Sequence, residues 1–271
     1  MGFARINGLV LHYRLWGDGE GDAPVLVLAN SLGTDGRIWD DVARLLAPRW
    51  RVLSYDKRGH GLSDAPEGDY TLEDHVADLA GLLDHLGIGR VALAGVSVGG
   101  LIAQGFALRH PERLAALVLC DTAARLGDTG LWEARIAAVR EHGMEAVADT
   151  IISRWFSRRY VQEEPDAVAG WRNLLARTPA AGYAGTCATL RDTDLRPLIG
   201  GIRVPTLVIA GDEDQSSPPT LVQQTAQAIP GARYVEIPGV GHIPSIEQPA
   251  MLAALFGSFL LEVGHHEVGH G

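Results

Sequence analysis

The order of apolar and polar positions along the 271-residue chain predicts strands and helices in alternation. Residues 25–29 (Val-Leu-Val-Leu-Ala), the start of 91–108 (Val-Ala-Leu-Ala-Gly-Val) and 114–120 are short unbroken apolar runs, as expected of strands covered on both faces, and 204–210 reads as another strand. Residues 52–55 and 233–237 read as further strands. Residues 9–16 alternate in the manner of a half-buried strand, and the polar, glycine-rich 17–24 after them predicts a hairpin-like opening.

Helices fill the gaps. Residues 38–46 form a short amphipathic stretch, and Leu72, Val76, Leu79, Leu83 and Leu86 share one helical face. Thr71 and Asp74 make a capping box at the start of that helix, and Gly87 and Gly89 stop it. A helix runs from Ser97 to His110 and is closed by Pro111; others are predicted over 219–229 and 246–261. Such alternation implies an α/β fold, a mostly parallel sheet with helices on both faces.

The period changes between 128 and 183. Trp132, Ile136 and Val139, then Val147, Ile151, Ile152, Trp155 and Phe156, read as helices. The predicted organisation is therefore a core over 1–127, a helical cap over 128–187, the rest of the core over 188–263 and a tail over 264–271. Trp132, Trp155 and Trp171 give the cap an apolar face, either to cover a site or to hold a small helical unit together.

Composition narrows the function classes. A formal net charge of −10 leaves no basic stripe for nucleic acid or anionic lipid, so an anionic ligand would need local arginines. Residues 91–108 carry no charge and are long enough to span a membrane. Four glycines, Ser97 and Gln104 within them, and the lack of a second apolar run, argue against a span. Cys120 and Cys187 are too few for a disulfide framework and read as reduced core residues. The N-terminus shows no apolar signal region, which makes the cytoplasm the expected location. His265, His266 and His270 read as a frayed end rather than a metal site. Oligomeric state is not legible.

The chemistry centres on Gly95-Val-Ser97-Val-Gly99, at the predicted strand-to-helix turn. Glycines two residues either side of a serine allow so tight a reversal, and the reversal pushes the hydroxyl out toward a substrate. The following helix aims its free N–H groups at the space above that hydroxyl. Acyl transfer by serine also needs a base and a carboxylate to orient it. Asp214 follows the strand at 204–210 and His242 follows the next, giving the order Ser, Asp, His used by sheets of this kind. Asp212, closer to the strand end, is the alternative acid. His60, which precedes the nucleophile, is expected to order its loop; His12, His75, His85, His110 and His142 are expected to be structural or solvated. The expected oxyanion donors are the N–H groups of Val98 and Leu32, the latter in the 30–33 loop after an inner strand.

Together the elbow, the 56–61 loop (Asp-Lys-Arg-Gly-His-Gly), Asp214 and His242 resemble the α/β-hydrolase superfamily across essentially the whole chain. Residues 28–34 (Leu-Ala-Asn-Ser-Leu-Gly-Thr), 117–124, Trp155-Phe156 and 182–195 look like the 3-oxoadipate enol-lactone hydrolases in particular. Asn30-Ser31 stands where many relatives carry His-Gly, and fits the lactonase pattern. The resemblance implies an eight-stranded α/β-hydrolase sheet and cofactor-free opening of a small lactone through an acyl-enzyme. A general carboxylesterase or a haloperoxidase-like perhydrolase would use the same triad, and a silent binding protein on this fold would lose a member of it. Such a lactone carries one carboxylate. Arg135, one turn after Trp132, is the candidate to hold it, with Trp132 and Trp155 as apolar walls; Arg154, Arg158 and Arg191 are rivals.

Overall fold

In a computed structural model, residues 1–17 and 25–268 are described, the side chains as far as 264. The expected turn at 17–24 therefore lies, apart from Gly17, outside the described residues, as do His270 and the side chains of His265 and His266.

Eight strands form one sheet in the order β1-β2-β4-β3-β5-β6-β7-β8. They are β1 (Gly2–Ile6), β2 (Leu9–Trp16), β3 (Val25–Ala29), β4 (Arg51–Tyr55), β5 (Val91–Val96), β6 (Leu114–Cys120), β7 (Thr206–Gly211) and β8 (Arg233–Ile237). β1 and β2 are antiparallel, as are β2 and β4; every other neighbouring pair is parallel. The opening hairpin is thus β1–β2, turned at Asn7-Gly8 with both residues at positive φ, and β2 pairs with β4 rather than with the strand after it. Both faces of β3, β5 and β7 are buried, as their apolar runs require.

The core helices are α1 (Asp40–Leu46), α2 (Leu72–His85) and α3 (Val98–Arg109). α2 begins with the capping box: Thr71 Oγ1 accepts from Asp74 N–H while the Asp74 carboxylate accepts from Thr71 N–H. α3, which continues β5, is buried almost all round and so has no polar face. The two halves of 91–108 are therefore strand and helix, and no described helix is long and apolar enough to cross a membrane.

Five helices are inserted after β6: α4 (Thr129–His142), α5 (Glu145–Ile152), α6 (Arg158–Glu163), α7 (Pro165–Ala176) and α8 (Ala180–Asp192). Trp155 and Phe156, expected on a helix, lie in the turn after α5, which stops at Ile152. Position 187 falls inside α8. α8 docks by backbone on the loop after β4: Cβ atoms on Gly182 or Gly59 would each collide with the other residue's main chain. Tyr70 N–H also donates to Gly185 O at 3.0 Å, and Thr189 Oγ1 to Tyr70 O at 2.9 Å.

The chain closes with α9 (Pro219–Ala228), α10 (Pro244–Glu247) and α11 (Pro249–Val268). The single helix expected over 246–261 is interrupted at Gln248, where Pro249 disfavours helical backbone at the residue before it. Cys120 and Cys187 are buried free thiols.

Candidate active site

Ser97 stands between β5 and α3 at φ 58°, ψ −122°, a backbone region that a non-glycine residue occupies only under local constraint. The constraint is visible. A Cβ on Gly95 would meet the Gly99 carbonyl, and one on Gly99 would meet the Ala29 carbonyl of the neighbouring strand. Ser97 N–H donates to Cys120 O at 3.0 Å, and Thr122 Oγ1 donates to Ser97 O at 2.7 Å, pinning the turn to the end of β6. The reversal leaves Ser97 8% exposed, against a strand buried throughout.

Asp214 and His242 come together from the loops after β7 and β8. His242 Nδ1 lies 2.8 Å from Asp214 Oδ2, and Asp214 Oδ1 accepts from Ser216 N–H at 2.7 Å and Ser217 N–H at 3.0 Å. With Nδ1 donating to the carboxylate, Nε2 is left to accept a proton. Asp212 is placed elsewhere: its Oδ1 accepts from Gly239 N–H at 2.6 Å and Val240 N–H, bracing the loop that leads to His242. Ser97 and His242 line one cavity of about 100 Å³, with Ser31 and Leu32 beside them.

The loop after β3 is held from below. His60, fully buried, accepts from Gly33 N–H through Nε2 at 3.0 Å and donates from Nδ1 to Arg58 O at 3.2 Å. Burial, then the neighbouring Lys57, drives its pKa well below the usual imidazole value, so this ring stays neutral and in one tautomer. Lys57, 1% exposed, donates to Ser31 O at 2.6 Å. Gly33 N–H is therefore committed. Leu32 N–H and Val98 N–H, at the N-terminus of α3, make no side-chain or loop hydrogen bond among the described residues.

The insertion supplies the other wall. Trp132, Arg135 and Trp155 all line the cavity, as do Arg154 and Tyr183. Arg135 Nη1 donates to Tyr183 Oη at 3.2 Å and Trp132 Nε1 to Leu126 O at 2.6 Å, which fixes both side chains of that helix face. The remaining rivals are drawn away. Arg191 pairs with Asp69 and Asp192, and Arg158, its side chain 90% exposed, points toward Glu213. Trp171 lines a separate cleft with Asp35 and Arg37.

A family model for the alpha/beta hydrolase fold matches residues 24–249. The chain belongs to the α/β-hydrolase family. Among α/β-hydrolases it is 36% identical over 231 residues to 3-oxoadipate enol-lactonase 2 of Acinetobacter baylyi, covering 85% of this chain and 86% of that protein. The crystal structure of an enol-lactonase from Burkholderia xenovorans LB400 superposes with a TM-score of 0.93 at 43% identity, over 96% of this chain and all of the other. A thermophilic esterase from Thermogutta terrifontis with malate bound gives 0.91 at 31% identity, covering 97% and 99%. This α/β-hydrolase is accordingly a hydrolase, of a family broad enough that a putative non-heme bromoperoxidase of Mycobacterium tuberculosis is 30% identical to it over 256 residues.

Several contributors were invisible to motif reading. Tyr183 carries no signal beyond its place on an apolar helix, and a lysine such as Lys57 after a strand reads as solvated until its burial is seen. Glu247 sits on a four-residue helix and joins Ser157 and Gly241, ninety and six positions away; no spacing in the sequence announces such a contact.

Proposed function

We propose that this protein opens 3-oxoadipate enol-lactone to 3-oxoadipate through an acyl-enzyme. The observation that carries the reading is the shared cavity. It joins Ser97 and His242, with Asp214 bonded behind the histidine, to a guanidinium and two tryptophans from the insertion.

Ser97 Oγ attacks the lactone carbonyl while His242 Nε2 takes its proton, and the Asp214 carboxylate holds the imidazole in the tautomer that can accept it. Charge developing on the carbonyl oxygen meets the N–H groups of Leu32 and Val98 and the positive end of α3. The ring C–O bond then breaks. The departing enol oxygen receives the proton from His242 but stays tethered to the acyl chain, and its ketonisation removes the nucleophile that would reclose the ring. Water, deprotonated by His242, attacks the ester and releases the second carboxylate.

Arg135 suits the free carboxylate of the lactone because its fork donates two parallel hydrogen bonds. A protein of net charge −10 has no long-range attraction for an anion, so a cation within the cavity has to do the recognising. A cavity of about 100 Å³ favours a compact substrate over a long acyl chain, since larger ligands occupy pockets of roughly 300–1,000 Å³. Similarity to enol-lactonases and to an esterase with malate bound supports a small carboxylate-bearing ester.

The test is to follow enol-lactone absorbance with purified protein, beside a neutral short-chain ester of the same size. Rapid loss of lactone and slow ester cleavage are expected. Equal rates on the neutral ester, or none on the lactone, would overturn the substrate assignment.

A further inference from the structure

Behind the Asp–His pair lies a second carboxyl that the proposed mechanism does not use. Asp121 directly follows β6, is 0% exposed and sits at φ 47°, a left-handed conformation that aspartate and asparagine tolerate better than other side chains. Its Oδ1 accepts from Gly211 N–H at 2.7 Å. The carbonyl of the same Gly211 accepts from Asp214 N–H at 3.2 Å, so both aspartates hang from one peptide unit at the end of β7. Asp121 Oδ2 is buried and finds no donor among the described residues.

The neighbouring acceptor there is the Asp214 carboxylate, brought beside Asp121 by the Gly211 peptide that both aspartates bond. Two carboxylates offer each other only lone pairs, and a buried acceptor without a donor is destabilising, the more so if charged. One proton resolves the conflict. Asp214 already accepts from His242 Nδ1, Ser216 N–H and Ser217 N–H, whereas Asp121 accepts from Gly211 alone. The proton therefore belongs on Asp121.

We infer that Asp121 is a protonated positioning residue that donates a hydrogen bond from Oδ2 to the Asp214 carboxylate, leaving the Asp–His pair one negative charge instead of two. The groups facing it point the same way. Asp214 after β7, Glu247 on α10, the Cys120 thiol on β6 and the Tyr234 phenol on β8 are acidic or neutral. Burial, followed by the adjacent Asp214, pushes Asp121 well above the ordinary carboxylate range. A second full negative charge there would favour the charged imidazolium over the neutral ring that a base requires. The neutral acid gives Asp214 a donor on its far side and adds no such field.

The inference rests on the proposed triad, and its test separates the two. Infrared spectra of the unmutated protein at pH 7 are expected to contain the carbonyl stretch of a protonated carboxyl, and Asp121→Asn is expected to remove it. Asparagine keeps the left-handed backbone, the acceptor for Gly211 and a donor toward Asp214. The acid limb of kcat/KM should therefore stay where it is in this variant, with kcat within about threefold. Losing an ionised neighbour would instead move that limb down by about one pH unit or more. Such a shift, or the absence of the band, or a band that survives in Asp121→Asn, would overturn the inference. The infrared result holds or fails whether or not the lactone is the substrate.

Discussion

Glu247 and Ser157, ninety positions apart, are joined by three hydrogen bonds. The Ser157 hydroxyl donates to Oε2 at 2.5 Å and its N–H reaches both carboxyl oxygens at 3.2 Å. Gly241 N–H completes the clamp at 2.8 Å, and beside it His242 N–H donates to Trp155 O at 2.8 Å. The turn that carries Trp155 is thus fastened to the loop that carries His242. Glu247→Ala leaves two buried N–H donors unsatisfied and should destabilise the fold by about 2–5 kcal/mol, while raising KM and lowering kcat together. Glu247→Gln keeps an acceptor for the backbone donors and should recover most of both. Urea denaturation and steady-state kinetics on the pair check this; equal damage from the two variants would refute the clamp.

Ser97→Ala is expected to abolish turnover without loss of stability, since it removes one hydroxyl at the mouth of the elbow. Asp214→Asn should lower kcat by about 10⁴, as in other triads. Asp212→Asn should cost far less, because Asp212 braces Gly239 and Val240 and does not touch His242. Single-turnover rates and melting temperatures distinguish these cases, and a reversed ranking of the two aspartates would reassign the acid.

Arg135→Ala should raise KM for the anionic lactone by about 10- to 100-fold, the worth of one charge-assisted hydrogen-bonded pair, and leave a small neutral ester nearly unaffected. Arg154 lines the same cavity and makes no side-chain hydrogen bond or ion pair among the described residues. The ratio of the two effects in single alanine variants therefore ranks the guanidinium groups. Equal losses on charged and neutral substrates would remove Arg135 from recognition.

His75 is buried with neither ring nitrogen hydrogen-bonded. Burial first, then Lys57 and Arg58, lowers its pKa to about 3. The unfolded chain takes up this proton near pH 6.5 and the folded chain does not until about pH 3. Stability is therefore fully present above pH 6.5 and falls as pH drops through that window, by about 1.4 kcal/mol per pH unit for this residue. His60, lowered in the same direction, adds a second slope. His75→Leu should make the fold less acid-sensitive, with the gap to the unmutated protein widening from pH 7 to pH 5 in urea titrations. A constant gap would exclude titration of His75 as the cause.

The centre of the sheet was legible because β3, β5 and β6 are unbroken apolar runs, and the elbow because Gly95 and Gly99 bracket one serine. Its distance past the strand end favours Asp214 over Asp212, and the structure brings Asp214, not Asp212, to His242. Boundaries set by cooperative packing were harder. Trp155 and Phe156 have a helical spacing from Ile151 and Ile152 but belong to a turn clamped by Glu247, a constraint 90 positions away. The break at Gln248 has its signal in Pro249, yet the apolar run around it reads as one continuous helix. Arg135 could be narrowed from its rivals only once Arg191 was seen paired with Asp69 and Asp192.

The glycine crossing of Gly182 on Gly59 divides the inserted segment in two. Where two main chains touch, no side chain can be exchanged to adjust the fit, so α8 is bound to the core loop as tightly as a core helix. α4, the end of α5 and the turn after it carry most of the side chains that face the cavity from above, and Gly59 makes no such grip on them. Ligand preference can therefore change by replacing the 128–176 cassette alone, with α8 kept as the fixed seat on which a new cassette is mounted.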